Sequence, residues 1–223
     1  MFTEILDNFV VFEGGDGSGT STQIELLGRK FAGSEGQSPL FFPTVEPTDG
    51  AIGRLIRLAL KNSPAMQPAT LARLFAADRN EHLFAPNGIH ERCQRGELVV
   101  CDRYILSSLA YQGIECGEKL PRMLNSGFPA PSLLLFFDLD PLAAQERMKG
   151  RASLDIFENL EFQRKVRDRY KALLDEYQAT AGASTGATVE IIDASQAPKK
   201  VAQDVWRAIS QMPIVKGGAK GDA

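Results

Sequence analysis

The stretch "FVVFEGGDGSGTSTQ", residues 9–23, joins a run of apolar residues to a helix-period segment through a glycine-rich turn. Gly14, Gly19 and Ser21 match the phosphate-loop pattern G-x-x-x-x-G-K-[ST], in the strand-to-helix setting that gives the pattern its specificity. Glycines let several backbone N–H groups point inward, and the start of the helix adds partial positive charge. We therefore predict a phosphate site here, with the Ser21 hydroxyl available to Mg²⁺. A tight turn without a ligand is the alternative.

Position 20 departs from the pattern, because Thr20 stands where lysine is expected. Lysine would bring a full charge to the β- and γ-phosphates, whereas threonine offers one neutral hydroxyl on a short stem. A charge-assisted hydrogen bond contributes about 1.5–3 kcal/mol, and a neutral one about 0.5–1.5 kcal/mol. Since the backbone cradle and magnesium can remain without lysine, we expect the change to threaten turnover more than binding. Basic residues at Arg147, Lys149 and Arg151 could reach in from a lid.

Apolar runs alternate with helix-period segments along the chain. Continuous apolar runs are typical of strands covered on both faces, as in a parallel sheet. The runs are residues 9–12, 39–42, 98–101, 133–137 and 189–192. The predicted helices are residues 23–31, 52–60, 69–93, 142–149, 157–177 and 198–209. This alternation predicts a three-layer α/β fold around a parallel sheet of about five strands.

The composition is that of an ordinary globular protein. Its 223 residues are 43% hydrophobic and 24% charged, which suits a single domain with a full core. The formal charge of −3 offers no general attraction to nucleic acid or to a membrane, so neither is expected as a partner. We expect residues 1–213 to form one domain and residues 214–223 to form a flexible tail, and residues 181–187 also look loose.

The cysteines and histidines of the sequence do not indicate a particular function. Cys93, Cys101 and Cys116 have no ligand-like spacing and suggest no disulfide framework. Neither a signal peptide nor an apolar stretch of about 20 residues is evident, so a reduced, cytoplasmic setting is expected. His82 and His90 are predicted to lie on a helix surface.

The segment "FAADRNEH", residues 75–82, suggests a pocket for a base. Phe75 and Arg79 are four residues apart and therefore share one face of a helix. An aromatic ring can stack on a base while a guanidinium bonds its edge. The alternative is a core phenylalanine beside a solvated arginine.

The segment "CDRY", residues 101–104, directly follows a predicted strand. Asp102 and Arg103 therefore lie at the carboxyl end of that strand, which is the edge where ligands bind in α/β sheets. Asp102 could position Mg²⁺ or its water, and Arg103 could hold an acceptor phosphate; a structural ion pair is the alternative. Hydroxyl and amide groups follow just beyond, at Ser107, Ser108, Tyr111 and Gln112.

Taken together, the motifs resemble those of the thymidylate kinase family, nucleoside monophosphate kinases that make dTDP from dTMP and ATP. The resemblance rests, in order, on "FEGGDGSGTSTQ", "EPTDGAIGRLIR", "FAADRNEH", "DRYILSSLAYQG", "DPLAAQERMKGR" and "IIDASQAP". It covers nearly the whole chain. It implies a P-loop NTPase fold with a helical lid at about residues 147–158, ATP as the donor, Mg²⁺ as the cofactor and a homodimer.

The resemblance also implies a set of site residues. The dTMP-binding positions would be Asp16, Glu46, Arg54, Phe75, Arg79, Arg103, Ser107, Ser108, Tyr111 and Gln112. The ATP-binding positions would be Gly14, Gly15, Asp16, Gly17, Ser18, Gly19, Thr20, Ser21, Thr22 and Arg147, with residues 193–196 also beside adenine. Ser21 and Asp102 would hold the metal, and Asp16, Asp102, Arg103 and Arg151 would be catalytic. Phe75 and Arg79 would contact thymine, and Tyr111 would lie under the deoxyribose, where it disfavours a 2′-OH.

Three positions depart from the family pattern, and each lacks an expected cation. Thr20 replaces the loop lysine, Val45 replaces the arginine of T-R-E-P, and Ile156 replaces a lid arginine. Arg54 and Arg57 could restore acceptor-side charge. The losses leave two alternatives open: a nucleotide-binding protein with little or no kinase activity, and a kinase for another nucleotide or small acceptor.

Overall fold

A computed structural model of the protein describes residues 4–33, 39–61, 65–148, 160–179 and 187–218. Its centre is a five-stranded sheet of order β2-β3-β1-β4-β5, and every neighbouring pair is parallel. The strands are β1 (Ile5–Gly14), β2 (Phe41–Val45), β3 (Leu98–Asp102), β4 (Ala130–Asp138) and β5 (Thr188–Asp193). The predicted parallel α/β sheet is therefore confirmed.

Helices cover both faces of this sheet. They are α1 (Thr20–Ala32), α2 (Ala51–Leu60), α3 (Pro68–Phe84), α4 (Ile89–Gln94), α5 (Ile105–Cys116), α6 (Lys119–Asn125), α7 (Pro141–Met148), α8 (Leu160–Tyr177), α9 (Pro198–Ile209) and α10 (Pro213–Gly218). Proline begins α3 and α9, where its missing N–H costs nothing and its fixed φ suits the helix. In the described ranges, no helix has the length and apolar character needed to cross a membrane.

The two sides of β1 belong to two different cores. Phe9 and Val11 pack with residues of α3, α5 and α8, whereas Val10 and Phe12 pack with residues of α1 and α9. All four side chains are 0% exposed. Because both faces of the strand are buried, its sequence reads as a continuous apolar run rather than an alternating one.

The register brings the carboxyl ends of the central strands to one edge. Phe12 is level with Asp102 on one side, and Gly14 is level with Phe137 on the other. Val45 of β2 is also level with Asp102. The segments that follow these strands, including the glycine-rich loop, therefore meet along the same edge of the sheet.

The helix predicted over residues 69–93 is wrong as a single element. The structure ends α3 at Phe84 and begins α4 at Ile89. Two features separate them: Asn87 has a φ of 60°, and a Cβ added to Gly88 would lie 2.7 Å from the Leu83 carbonyl oxygen. Chain direction thus changes where a helix-period pattern alone would continue.

The first residues of the predicted tail, 214–218, belong to a helix. Residues Pro213–Gly218 form a short helix. Ile214 and Val215 are partly buried against the core that contains Phe12. The flexibility of the tail stays a prediction, and residues 219–223 lie outside the described ranges.

Candidate active site

A cleft of about 1140 Å³ opens at the carboxyl edge of the sheet. It is lined by the glycine loop, by residues that follow β2 and β3, and by faces of α3, α5, α7 and α8. The predicted site residues that line it are Gly15, Asp16, Gly17, Ser18, Gly19, Thr20, Ser21, Thr22, Glu46, Phe75, Arg79, Asp102, Arg103, Ser107, Ser108, Tyr111, Gln112 and Arg147. Residues predicted from separate motifs are thus brought to one cavity.

The glycine loop has the backbone form of an anion cradle. Gly17 and Gly19 have φ values of 77° and 94°, in the left-handed region where a side chain is strained. Gly19 is the N-cap of α1, and the first turn of that helix carries no acidic residue. The helix therefore presents its positive end to the cleft beside Thr20, which is half-buried.

The two predicted metal ligands are in direct contact. The Ser21 hydroxyl donates to Asp102 Oδ2 at 2.6 Å. Asp102 is only 6% exposed, and its other oxygen, Oδ1, is buried without a hydrogen-bond partner among the described residues. An unsatisfied buried carboxylate oxygen is costly unless a ligand completes its coordination. Hydroxyl and carboxylate oxygens are the ligands that Mg²⁺ prefers.

Arg103 directly follows Asp102 and is held in an uncommon backbone conformation. Its guanidinium forms an ion pair with Asp16 of the glycine loop. Its φ is 70°, and its backbone N–H donates to the Phe12 carbonyl at 2.8 Å. Such backbone strain in a side chain larger than glycine recurs at functional sites, where the surrounding structure enforces it.

Arg79 is a buried part of the pocket wall. It is 1% exposed and donates from Nε and one terminal nitrogen to Glu46 Oε2, at 2.9 and 2.7 Å. It also donates to Asn125 and, at 3.2 Å, to Ser108. Phe75, one helical turn away, lines the same cleft. The alternative of a solvated arginine beside a core phenylalanine is therefore wrong for Arg79.

His82 extends this network, so its predicted position on a helix surface is wrong. Its side chain is 10% exposed, with Nδ1 3.2 Å from Glu46 Oε1 and Nε2 2.6 Å from the Thr44 hydroxyl. Glu46, His82 and Cys101 place possible metal-ligand atoms within 4.8 Å of one another. Glu46 is already paired with the Arg79 guanidinium. The charge of this carboxylate is therefore balanced by a side chain of the protein.

Glu13 is a buried residue beneath the site that no sequence motif indicated. Its carboxylate is fully buried and accepts from the N–H groups of Tyr104 and Ser107, at 3.0 and 3.1 Å. The Tyr170 hydroxyl also donates to it, at 3.1 Å. Burial raises the pKa of this carboxyl group, and the hydrogen bonds oppose that rise. Glu13 therefore ties the start of α5, where Ser107 lies, to the strand that carries the glycine loop.

The structure changes which arginine of α2 faces the site. Arg54 was predicted to bind substrate, but it is exposed, does not line the cleft, and donates to the Asp49 carbonyl at 2.6 Å. Arg57, three residues later, lines the cleft and donates to the Pro47 carbonyl. Residues three apart on a helix lie about 60° apart around its axis, and packing determines which of these two side chains faces the cleft.

The adenine and lid predictions have different outcomes. Arg147 lines the cleft, and its guanidinium donates to the Ser195 carbonyl at 3.3 Å. This joins the two segments predicted to flank adenine, and their role stays a prediction. Arg151, the predicted lid over residues 147–158 beyond Met148, and Ile156 lie outside the described residues.

The cleft also contains side chains that no sequence motif indicated. Gln163 of α8 donates to Asp16 Oδ2 at 3.0 Å, which connects the helix to the glycine loop. Arg167, on the same helix, lines the cleft and pairs with Asp138 at the end of β4. Their only sequence signal was their place in a charged helix, which does not show the side that meets the cleft.

A glycine loop between a central strand and its helix, at the carboxyl edge of a parallel sheet, is the arrangement of P-loop NTPases. The fold and the cleft define the protein as one of that class. The thymidylate kinase family model matches residues 12–205 of the chain. The chain belongs to the thymidylate kinase family, which makes it an ATP-dependent nucleoside monophosphate kinase by class.

Relatives with provisional thymidylate kinase names are similar over most of the chain. The Treponema pallidum protein is 42% identical over 170 residues, which cover 76% of this chain and 80% of the relative. The Pyrobaculum aerophilum protein is 39% identical over 205 residues, or 92% and 97% of the two chains. The Pyrococcus abyssi protein is 41% identical over 190 residues, or 82% and 90%.

Proposed function

We propose that the protein transfers the γ-phosphoryl group of ATP to dTMP, giving ADP and dTDP. The observation that carries this proposal is the continuous cleft between two unlike regions. The phosphate loop lies in one, and the wall formed by Phe75, Arg79 and Arg103 lies in the other. One cavity of this kind suits two phosphate-bearing ligands that must meet.

The reaction is an in-line displacement at phosphorus. An oxygen of the dTMP phosphate forms a bond to the γ-phosphorus, while the bond to the β,γ-bridging oxygen breaks and its electron pair leaves with ADP. This needs positioning and charge stabilisation rather than a covalent protein intermediate. The backbone N–H groups of the glycine loop hold the donor phosphates, and Arg103 holds the acceptor phosphate.

Magnesium fits the oxygens that the cleft provides. The Ser21 hydroxyl and the Asp102 carboxylate are adjacent, and buried Oδ1 of Asp102 has no partner among the described residues. When bound, Mg²⁺ would neutralise charge on the β- and γ-phosphates. Asp102 and Ser21 would hold and orient it.

Tyr111 is the residue proposed to exclude ribonucleotides. Its ring is 6% exposed, lies 5.3 Å from the Arg103 guanidinium and packs edge-on against Tyr170. Burial raises the pKa of its phenol, so the hydroxyl stays protonated and neutral at physiological pH. A rigid, neutral ring next to the phosphate-binding arginine supports its assignment beneath the deoxyribose.

The experiment is a coupled assay of diphosphate formation with MgATP and a panel of dTMP, dUMP, dCMP and UMP. We expect dTMP to be the preferred acceptor, with turnover in the usual kinase range of about 1–100 s⁻¹. Thr20 and Val45, which stand where cations were expected, both line the cleft. This is the reason to test the alternative of a nucleotide-binding protein with little activity. Turnover of every acceptor below about 0.1 s⁻¹, far under kinase norms, would favour that alternative.

Assembly and location are further parts of the proposal. The family resemblance supports a homodimer and a cytoplasmic setting. Leu58 of α2 and Met123 of α6 are large apolar side chains that are 52% and 61% exposed. Sedimentation equilibrium over a tenfold range of concentration would measure the oligomeric state, and a mass of a single chain throughout would contradict the dimer.

A further inference from the structure

The glycine loop lacks the lysine that its pattern requires, because Thr20 stands at that position. Within the described ranges, the cleft is lined by the basic residues Arg57, Lys61, Arg79, Arg103, Arg147 and Arg167. A replacement for the lysine has to be near the glycine loop and able to turn N–H groups toward a phosphate. These two conditions separate the candidates.

The acceptor-side cations do not meet them. Arg79 is buried and saturated by Glu46, Asn125 and Ser108. Arg57 donates to the Pro47 carbonyl, two residues beyond β2. Arg103 pairs with Asp16 and is already assigned to the acceptor phosphate, and Lys61 is the exposed C-cap of α2. These four groups belong to the acceptor side of the cleft.

Two cations on the other side remain, and their contacts differ. Arg147 is exposed, and its guanidinium donates to the Ser195 carbonyl in the segment after β5. That places it with the region assigned to adenine. Arg167 instead pairs with Asp138, which directly follows Phe137, the neighbour of Gly14 in the sheet register.

A second, independent contact brings the same helix, α8, to the glycine loop. Gln163 lies four residues earlier on α8 and therefore shares its face. The Gln163 amide donates to Asp16 Oδ2 at 3.0 Å, and its oxygen lies 3.8 Å from where a Gly15 Cβ would be. The face of α8 that carries Arg167 is thus already against the glycine loop.

The geometry of the Arg167 guanidinium leaves one edge facing away from Asp138. Nε and one terminal nitrogen engage the two Asp138 oxygens at 2.6 and 3.1 Å. The other terminal nitrogen is 3.6 Å from Asp140, whose side chain is 60% exposed. The Lys171 ammonium lies 3.3 Å from Asp138 Oδ2, so Asp138 retains a cation if Arg167 turns. A guanidinium fork can hold a carboxylate on one edge and a phosphate on the other.

We propose that Arg167 takes the place of the missing loop lysine and donates to the β- and γ-phosphate oxygens of the bound donor. Asp138 orients the guanidinium, and α8 carries it to the loop. The proposal rests on the kinase function proposed above. It adds no covalent step, since the arginine only stabilises charge on the transferred group and on the leaving ADP.

The test compares Arg167→Gln with Arg164→Gln, a matched change on the exposed side of α8 outside the cleft. We expect Arg167→Gln to lower kcat by about 100-fold or more, because positioned cations contribute about 10³–10⁵ in phosphoryl transfer. Arg164→Gln should stay within about 3-fold of the unmodified protein, in keeping with a surface change.

A rescue experiment adds Thr20→Lys to Arg167→Gln. It should raise the kcat of that variant by at least about 10-fold, because lysine restores the positive charge from the glycine loop. An Arg167→Gln enzyme within about 3-fold of the parent would overturn the proposal.

A binding measurement separates a phosphate contact from a structural role. By calorimetry, Arg167→Gln should weaken ATP and ADP by about 10-fold or more, while AMP binds as before. Equal weakening of all three nucleotides, or unchanged ATP affinity, would contradict the assignment. If the parent protein phosphorylates no acceptor, the kinase proposal fails, and this nucleotide series still decides whether Arg167 meets the phosphates.

Discussion

The two ends of the cleft are built from different parts of the chain. At the acceptor end, buried side chains hold one another: Arg79 is 1% exposed and Glu46 is 3% exposed, and the two form an ion pair. Arg79 also donates to Ser108, and Glu46 also contacts His82. At the donor end, the binding groups are backbone N–H groups of a glycine loop and the start of α1. Side chains there, such as Ser21 and Arg147, are more exposed.

This difference explains why a lost side chain has unequal consequences at the two ends. A backbone cradle keeps its N–H groups with any residue other than proline at position 20. A buried network has no such reserve, because removing one member leaves the others desolvated and unpaired. The donor end can therefore tolerate Thr20 and draw charge from another element, whereas the acceptor end depends on each residue that forms it.

The largest effect is expected from Arg103→Gln. Its guanidinium bridges to Asp16 and lies over the Tyr111 ring, at the junction of the two ends. Loss of the cation for the acceptor phosphate should lower kcat/KM for dTMP by about 10³-fold or more, as for other positioned cations in phosphoryl transfer. Steady-state kinetics with each substrate varied would measure it.

The control is Arg73→Gln, on the exposed side of α3, where the arginine donates to the Ala69 carbonyl and does not line the cleft. This variant should behave as the parent does. An equal loss in ATP binding with Arg103→Gln would mean that the residue serves both ends, and the comparison between them would then break down.

Glu46→Gln should have the next largest effect, and on folding as well as on activity. The change leaves the buried Arg79 guanidinium without its charged partner, and breaking a buried ion pair costs about 3–5 kcal/mol. Urea denaturation should show a free energy of unfolding lowered by about that amount. Glu91→Gln is the matched control, because its pair with Arg95 is exposed and should be worth less than about 1 kcal/mol. Similar losses for both variants would show that Glu46 is not part of a desolvated network.

Sequence patterns predicted the sheet because strands that are buried on both faces appear in the sequence as continuous apolar runs. Strand runs around Phe9, Leu98 and Leu133 could be read from apolar continuity, and their common carboxyl edge placed Asp102 opposite the glycine loop. The contact between Ser21 and Asp102 follows from that topology. Helix α5 was missed for the converse reason. Eight of its twelve residues are buried, from several sides, so it shows no amphipathic period.

Other site residues could not be predicted, since packing rather than pattern selects them. Glu13 reads as the first polar residue of a loop, yet it is enclosed beneath α5. Arg54 and Arg57 differ only in which side of α2 meets the cleft. Arg167 stands among several charged residues of α8, and the buried Val166 and Tyr170 fix the inner face without showing which flank reaches the glycine loop.

The smallest effect is expected from Thr20→Lys in the otherwise unmodified protein. If the donor end already receives its charge from Arg167, a second cation should change kcat by no more than about 3-fold, because the phosphates are already neutralised. The same substitution should rescue Arg167→Gln, so the two backgrounds form a double-mutant cycle whose coupling is measured by kcat. A rise of about 10-fold or more in the unmodified background would show that the donor end lacks a cation after all. The change from lysine to Thr20 would then be a loss of positive charge that Arg167 of α8 does not compensate.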